Sequence, residues 1–377
     1  MNFNDLIHVN QIGYRPLDRK IFIAKGKGGP FRVIDAESGC TVYEGHASKT
    51  VPDSSSGDEV CRGDFSSVVN PGIYCIEMSE IGKSCHFCIK ENVYTDVKKA
   101  LLKCFYYQRC GVALDEEYAG TWKHDICHAK DGIVYGHEDK RMDGTGGWHD
   151  AGDYGRYVVP AAKALADLML AFDFFPDAFS EKLNIPESGI YLPDILNECR
   201  YELEWLFKMQ DRENGGVYHK LTTKNFCGMV MPEKDTENLY FLPVSSTATG
   251  AFAAIMAMAA RVYKPFDEEF SSRCLAAALK SWEWLLKNPD IISFHNPPDV
   301  KTGEYGDEND RDERYWAAAE LFRTTGDERY HEYFMRICKK ENFGRYELGW
   351  ADVGGYGTIA YLFTDAKKAN ATLRQEL

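Results

Sequence analysis

The hydrophobic pattern divides the chain into a β-rich amino-terminal part and a helical remainder. From Ile7 to about Lys90, short alternating apolar runs are separated by Gly, Ser, Asp and Pro, as in an antiparallel sandwich. The runs that predict strands cover residues 21–24, 31–34, 41–43, 72–76 and 85–89. We therefore expect an immunoglobulin-like β-sandwich domain over residues 1–93.

Beyond Val93 the apolar positions recur with the spacing of amphipathic helices. The pattern predicts eight helices, over residues 96–110, 160–174, 193–210, 245–263, 267–288, 310–325, 327–339 and 355–363. The loops at residues 124–148 and 210–243 exceed the roughly 12 to 15 residues beyond which a structureless connection is usually functional. We expect a helical toroid over residues 94–377 with its site on the loop face.

Charge and composition narrow the possible partners. The 377 residues include 44 Lys+Arg and 58 Asp+Glu, which gives a formal net charge of −14. This balance argues against nucleic-acid and anionic-membrane partners, because both need a clustered basic surface. Apolar runs such as residues 248–260 are shorter than the roughly 20 residues that span a bilayer. Residues 1–8 lack a secretory signal pattern, so we expect a cytoplasmic protein, or a secreted one if a leader was removed.

The most informative segment runs from Gly146 to Tyr157 and reads GGWHDAGDYGRY. Asp150 and Asp153 are three residues apart, so in a turn or an opening helix both carboxylates can face one cleft. Two partly desolvated carboxylates repel each other, which pushes one toward protonation and leaves the other as a base. The flanking aromatic rings offer flat faces for the C–H groups of a sugar. The spacing alone fits equally well a structural role in which Asp150 caps the following helix.

This segment closely resembles the nucleophilic-water motif of glycoside hydrolase family 9, the cellulase family that includes endoglucanases with an amino-terminal immunoglobulin-like domain. Further segments resemble the family in its own order: HVNQIGY at 8–14, ELEWLFKMQ at 202–210, GGVYHK at 215–220, SSTAT at 245–249, DERYWAAAE at 312–320 and GWAD at 349–352. The resemblance implies an (α/α)6 barrel and hydrolysis of β-1,4-glucans with inversion. It also implies that Asp153 is the general base toward the attacking water and that Asp150 helps to hold that water.

Inversion also needs a protonated acid, with the two carboxyl groups about 6.5 to 9.5 Å apart. In the family this acid is a Glu near the carboxyl end, and the sequence up to Leu377 contains no segment that matches it. We expect Glu198, Glu202 and Glu204 on a solvated helix flank, and Glu233 is the least implausible substitute. We therefore assign no acid. We expect a barrel that is incomplete at its carboxyl end, with little or no turnover.

Cys110, Cys127, His128 and His149 form a candidate metal site. Two thiolates and two imidazoles complete the shell of a structural Zn²⁺ and leave no position for a catalytic water. The spacing is not that of a zinc finger, so from the residues alone buried thiols and a satisfied histidine are the simpler interpretation. The family resemblance, however, implies zinc at these positions.

Acidic residues cluster between Asp307 and Glu313, and hard oxygen ligands at short, irregular spacing suit Ca²⁺. An acidic helix start, favoured by the helix dipole, is the simple alternative. The family resemblance implies structural Ca²⁺ at Asp307, Asn309, Asp312, Glu313 and Asp352.

Aromatic residues and a histidine are candidate sugar contacts. They are Trp148, Tyr154, His219, Trp316 and Tyr356. The other tryptophans at helical positions, Trp205, Trp282 and Trp284, are expected in the core.

Three functions are compatible with these residues. The first is hydrolysis of β-1,4-glucosidic bonds in cellulose or related β-glucans, cello-oligosaccharides included. The second is exo-acting removal of glucosamine from chitosan oligomers on the same fold. The third is glucan binding without catalysis, either by a binding protein or by a fragment of an enzyme. The sequence predicts neither the preferred polymer nor the oligomeric state.

Overall fold

The computed structural model describes residues 6–338, 348–365 and 367–377. The chain divides into two units, Met1–Leu101 and Leu102–Leu377. The first consists of strands up to the helix that begins at Thr95, and the second is mainly helical. This confirms the predicted class, a mainly α protein with an all-β amino-terminal domain.

Two antiparallel sheets form the amino-terminal unit. Their strands are β1 (Ile7–His8), β2 (Ile21–Lys25), β3 (Pro30–Asp35), β4 (Thr41–His46), β5 (Val51–Pro52), β6 (Glu59–Asp64), β7 (Gly72–Met78), β8 (Gly82–Lys83) and β9 (Phe87–Ile89). The order is β1-β2-β6-β5 in one sheet and β4-β3-β7-β8 in the other, where β9 also pairs with β7. All five predicted strands are present, and the prediction missed the four others, β1, β5, β6 and β8.

Alternating side chains build the core of this unit. In β2, Phe22 and Ala24 are completely buried, whereas Ile23 between them is 38% exposed. The Phe22 ring meets Phe31 of β3 edge to face, at 4.8 Å between ring centroids. Opposite, a Cβ at Gly63 of β6 would lie 2.1 Å from the Phe22 ring, so only glycine fits there. The period-two pattern of the sequence is therefore the pattern of the sandwich interior.

The described residues include ten α-helices, and the eight that were predicted are all among them. They are α1 (Thr95–Tyr107), α2 (Glu116–Ala119), α3 (Val158–Phe174), α4 (Asp194–Met209), α5 (Ser246–Tyr263), α6 (Glu268–Lys287), α7 (Arg311–Thr325), α8 (Glu328–Cys338), α9 (Gly354–Leu362) and α10 (Ala371–Glu376). The last residue of the predicted helix at 327–339 lies outside the described residues. No described helix combines the length and the apolar composition needed to cross a bilayer.

Helix α5 forms the centre of the helical unit. All its residues except Arg261 are buried, and it packs against α3, α6 and α7. Its many alanines allow this close approach, and a helix that is apolar on every side belongs in a core.

Short strands that the sequence pattern did not predict lie in the two long loops or just after them. They are β10 (Gly132–Val134), β11 (His137–Met142), β12 (Arg156–Tyr157), β13 (Val217–Tyr218), β14 (Lys220–Thr222), β15 (Tyr240–Phe241) and β16 (Val244–Ser245). Five of them form a sheet in the order β11-β10-β15-β14-β12, while β13 pairs with β16. In that sheet Tyr157 of β12 lies opposite Lys220 of β14. The sheet therefore joins the two loops in which the function was expected.

Candidate active site

A tight turn brings the two predicted catalytic carboxylates together between β11 and α3. The N–H of Asp150 donates to the carbonyl of Gly155 at 2.9 Å, and the turn that this bond closes contains Asp153. Helix α3 begins only at Val158. Asp150 therefore lies too far ahead of the helix to cap it, and the structural alternative for this residue is wrong.

Backbone hydrogen bonds and a glycine anchor the residues before this turn. The N–H of His149 donates to the carbonyl of Gln108, and the N–H of Cys110 donates to the carbonyl of Gly147, both at 2.7 Å. Gly147 has a φ of +80°, and a Cβ at this position would lie 2.7 Å from the Trp205 ring. The turn thus depends on a residue without a side chain.

Asp150 and Asp153 line an open cleft of about 570 Å³. Aromatic rings form part of its wall: Tyr157, Phe226, Tyr305 and Trp350. The remaining lining residues are Ala151, Gly152, Gly228, Gly303 and Glu304. Phe226 is 57% exposed and Trp350 is 37% exposed, so both rings have free surface for a sugar.

Each aspartate accepts a hydrogen bond from a tyrosine. The Tyr157 hydroxyl donates to Asp153 Oδ2 at 2.7 Å, and the Tyr305 hydroxyl donates to Asp150 Oδ2 at 2.7 Å. Desolvation raises the pKa of Asp150, the Tyr305 hydrogen bond opposes this rise, and the charge of Asp153 adds to it. The two carboxylates are therefore coupled, and each is held in a fixed direction toward the cleft.

The sequence analysis did not identify three aromatic residues of the cleft as candidate sugar contacts. They are Tyr305, Trp350 and Phe226. The Tyr305 ring lies 4.8 Å from Tyr157 and 5.1 Å from Trp350, so the three rings form one continuous wall. Trp350 was visible in the segment GWAD at 349–352, where only Asp352 was given a role. Tyr305 directly precedes the acidic cluster, and nothing in the local pattern distinguishes it from a loop tyrosine.

Three of the five predicted sugar contacts have buried rings with other partners, which corrects that prediction. Trp148 donates its Nε1–H to Glu198 at 2.9 Å, and the Tyr356 hydroxyl donates to Asp167 at 2.6 Å. Trp316 is completely buried and packs against Tyr356, with 5.2 Å between ring centroids. Enclosed rings of this kind have no free face for a sugar.

His219, a fourth predicted sugar contact, is also completely buried. Its Nδ1 is 2.8 Å from Ser245 Oγ, its Nε2 is 3.0 Å from the carbonyl of Glu304, and its ring stacks on Phe294. Burial lowers the pKa of His219 to about 3. The imidazole therefore supports the cleft wall at Glu304 from behind rather than touching a ligand.

Tyr154, the fifth predicted sugar contact, lies over the candidate metal ligands. Its ring is 4.9 Å from His149 and 5.9 Å from His128, and its hydroxyl donates to the carbonyl of Val230. Tyr154 has a φ of +55°. Among the described residues four non-glycine residues have positive φ, and three of them, His128, Tyr154 and Tyr305, lie at this site. Such strain is characteristic of functional sites.

The four predicted zinc ligands form a compact cluster. One ligand atom from each of Cys110, Cys127, His128 and His149 lies within 4.8 Å of the others. Among the described residues, buried His128 Nδ1 has no hydrogen-bond partner. Cys127 Sγ is 3.7 Å from His149 Nε2. Contacts from Cys110 first, and then from both imidazoles, lower the pKa of Cys127, while burial raises that of Cys110. Two cysteine sulfurs and two imidazoles gathered in this way suit a metal ion.

The predicted calcium ligands include buried carboxylates with no positively charged partner among the described residues. Glu313 is completely buried, and neither of its carboxylate oxygens has a hydrogen-bond partner among the described residues. Desolvation raises the pKa of Glu313 well above its ordinary value, and that of Asp312 to about 6. The charges of Asp307 and Asp352 raise the pKa of Asp312 further. A surface-exposed acidic helix start does not explain this burial, whereas a bound cation would.

Three proposed calcium ligands also have protein partners. The Asn309 side-chain amide donates to Asp312 Oδ1 at 3.1 Å, and Asp352 Oδ1 accepts the N–H of Gly354 at 3.1 Å. The second oxygen of Asp312 accepts the N–H of Val353 at 2.8 Å. The acidic segment is thus joined to the residues before α9.

Glu198 and Glu202 are buried, which corrects their assignment to a solvated flank. Glu198 forms an ion pair with buried Arg109 at 2.9 Å, and Glu202 accepts the N–H of Trp148 at 2.5 Å. Desolvation raises the pKa of Glu202 to about 8. These carboxyl groups hold the segment before Asp150 from behind. Glu204 alone is partly exposed, in an ion pair with Arg273.

Glu233 lies away from the cleft. It lines a separate cavity of about 190 Å³ together with Cys127, His128 and Asp235. One of its carboxylate oxygens is buried there. Its position therefore does not suit an acid acting opposite Asp153.

Comparisons with known proteins match both parts of the chain. The family description "Glycosyl hydrolase family 9" matches residues 94–376, and "Cellulase N-terminal ig-like domain" matches residues 3–83. A cellodextrinase of Butyrivibrio fibrisolvens is 37% identical over 382 residues, covering 97% of this chain and 69% of the relative. Endoglucanase D of Acetivibrio thermocellus is 36% identical over 382 residues, covering 100% of this chain and 60% of the relative.

A solved structure of an endoglucanase also matches this chain. The crystal structure of a single mutant (D468A) of the thermostable endoglucanase from Alicyclobacillus acidocaldarius superposes with a TM-score of 0.91 at 39% sequence identity. That match covers 98% of this chain and 68% of the other. The chain thus spans between 60% and 69% of the length of these similar proteins.

Proposed function

Because this chain belongs to glycosyl hydrolase family 9, we propose that it acts on β-1,4-glucosidic bonds in cellulose, related β-glucans or cello-oligosaccharides. The observation that carries the proposal is the pair of carboxylates, Asp150 and Asp153, facing an open cleft with exposed aromatic surface. The names of the relatives, a cellodextrinase and an endoglucanase, support this substrate class.

The proposed reaction is attack by water with inversion at the anomeric carbon. Asp153 takes a proton from the water, and Asp150 accepts a second hydrogen bond from it and fixes its direction. Tyr157 and Tyr305 support these roles, because each donates to one aspartate oxygen and leaves the other oxygen available. The aromatic wall orients the sugar above the pair.

We further propose that the described part of the chain supplies no general acid. Of the described residues that line the cleft, Glu304 is the one glutamate. Its Oε2 accepts the N–H of Asn296 at 2.8 Å, and its Oε1 is 3.6 Å from His295. These contacts tie both carboxylate oxygens of Glu304 to residues of its own loop. The expected consequence is slow cleavage of natural glycosidic bonds, which need a protonated leaving group.

A substrate with an activated leaving group tests these two parts of the proposal separately. Fluoride departs from β-cellotriosyl fluoride without prior protonation, so its hydrolysis needs the water and the aspartate pair alone. Asp153→Asn should slow this hydrolysis by at least about 100-fold. Asp139→Asn, at an exposed position on β11, is the matched control and should not. Undiminished hydrolysis by the Asp153 variant would refute the base assignment.

The same assay examines the missing acid. Cellohexaose should be cleaved more slowly than the fluoride by about 100-fold or more, the usual contribution of a general acid. Comparable rates on both substrates would show that an acid is present after all. The anomer released first, followed by NMR, reports inversion directly.

Glucan binding without catalysis is the second candidate, and the exposed rings of Phe226 and Trp350 favour it. Isothermal titration with cellohexaose, run beside a reducing-sugar assay, separates the two. Heat without product supports the binder, and heat with product supports the enzyme. Chitosan oligomers belong in the same assay, since Glu304 in the cleft wall could attract the cationic sugar of an exo-β-glucosaminidase.

Two structural metal ions complete the proposal. We infer Zn²⁺ at Cys110, Cys127, His128 and His149, and Ca²⁺ at the acidic cluster around Glu313. Zinc with four protein ligands has a closed shell, so its contribution is to hold the loop that carries Asp150. A cytoplasmic location stays a prediction that fractionation of the native cells would test.

A further inference from the structure

A buried carboxylate lies behind one of the candidate zinc ligands. Asp235 Oδ2 is 3.3 Å from Nε2 of His128, and the two side chains are 2% and 1% exposed. Asp235 directly follows the 3-10 turn Pro232–Lys234. Its other oxygen accepts the N–H of Glu237 at 3.4 Å. The carboxylate is therefore oriented by its own segment before it meets an imidazole 107 residues away in sequence.

This contact decides which nitrogen of His128 is free. A neutral imidazole carries one N–H donor and one lone pair, and an ionised carboxylate only accepts. The proton consequently belongs on Nε2, where Asp235 accepts it. The lone pair is then on Nδ1, which is buried and has no hydrogen-bond partner among the described residues.

We propose that Asp235 is a positioning residue that fixes the tautomer and the orientation of His128 for metal binding. This inference rests on the proposed zinc site. Histidine ligands commonly donate their second N–H to a carboxylate, which orients the ring and increases its basicity. The strained backbone of His128, with a φ of 46°, fits a ring held from both sides.

As a positioning residue, Asp235 would also help to hold the segment that lines the cleft. The segment that leads to it contains Val230, whose carbonyl accepts the Tyr154 hydroxyl, and Phe226, which lines the cleft. Asp235 and Tyr154 therefore attach the same segment to the metal cluster at two points. Glu233 is a poor substitute, because its nearest ion-pair partner is Lys234 at 4.0 Å.

Zinc affinity of the whole chain tests the proposal without reference to hydrolysis. Asp235→Ala and Asp235→Asn are compared with Glu237→Gln, which removes a charge from an exposed position in the same cavity. Competition with a chromophoric chelator gives the zinc dissociation constant. We expect it to rise by about 10- to 100-fold in Asp235→Ala and by less in Asp235→Asn, which keeps one acceptor oxygen. Glu237→Gln should leave it unchanged.

Cobalt substitution provides a second measurement. The visible spectrum of Co²⁺ reports the geometry of its ligands, so the Asp235 variants should show altered bands and Glu237→Gln the native ones. Circular dichroism identifies a variant that does not fold, and in that case Asp235→Asn decides. Unchanged zinc affinity in the folded Asp235 variants would overturn the proposal. Absence of zinc binding by the unmodified chain would overturn the zinc site as well, whereas loss of hydrolysis alone would affect neither.

Discussion

Tyr305→Phe provides the sharpest test of how the catalytic pair is held. The substitution removes one hydroxyl, which donates to Asp150 Oδ2 at 2.7 Å, and leaves a ring of the same shape. The packing of that ring against Tyr157 and Trp350 should therefore survive. The effect on Asp150 can then be attributed to the lost hydrogen bond.

The size of the effect follows from the charge of the acceptor. A hydrogen bond to a charged group contributes about 1.5 to 3 kcal/mol, and solvent at an open cleft reduces this to about 1 kcal/mol. At about 1.36 kcal/mol per tenfold change, this loss makes ionisation of Asp150 about fivefold less favourable. The pKa of Asp150, already raised by desolvation, should therefore rise further. Because the ionised form holds the water, the acid limb of the pH profile should move to higher pH.

The assay is the pH dependence of kcat/KM for β-cellotriosyl fluoride. On the acid limb Tyr305→Phe should be slower by about fivefold, and above the limb the rates should converge. Tyr135→Phe is the matched control, because Tyr135 donates to Asp299 at 2.6 Å outside the cleft. A uniform loss of rate at every pH, or a shift toward lower pH, would refute the electrostatic reasoning.

Three further predictions concern the metal sites and the catalytic turn. Cys127→Ser should reduce bound zinc, measured by atomic absorption, from about one per chain to nearly none, whereas the exposed Cys104→Ser should not; equal zinc contents would contradict the site. Burial raises the pKa of Glu313, so metal-free stability is full at low pH and is lost as the pH rises through that pKa. Ca²⁺ should therefore raise Tm more at about pH 8 than at about pH 5, and an equal rise at both would contradict this. Gly147→Ala should lower the free energy of unfolding by about 1 to 3 kcal/mol more than Gly39→Ala does. Gly39 is the control because it has a similar positive φ but no atom close to the position of an added Cβ. Equal losses in urea melts would exclude a steric cause.

Eight of the ten described helices were predictable because each carries a long amphipathic or apolar signal, whereas α2 and α10 are too short to show one. The central helix α5 illustrates this, since an unbroken apolar run with a capping Ser245 marks both its type and its start. The strands β12 to β16 were not predictable, because two or three residues are too few to show a period. Their pairing depends instead on contacts between loops that are distant in sequence.

Some residues of the candidate site could also be predicted from the sequence, and others could not. Asp150 and Asp153 could be proposed because the local motif contains both, and Cys110, Cys127, His128 and His149 could be proposed as a cluster because their ligand types are distinctive. Tyr305 was missed because its partner Asp150 is 155 residues away. Glu198 and Glu202 were misread for a related reason: the helix pattern marks them as polar, and only the fold brings Arg109 and Trp148 to them.

The two aspartates differ in how far their orientation depends on the rest of the chain. Asp153 is held by Tyr157, four residues along the same strand and turn, so its position is encoded locally. Asp150 follows His149 of the metal cluster and is held by Tyr305, two residues before Asp307 of the acidic cluster. Loss of either proposed metal should therefore disturb the residue that directs the water before it disturbs the base. In this arrangement the two proposed metal ions would stabilise the part of the site that the local sequence cannot specify by itself.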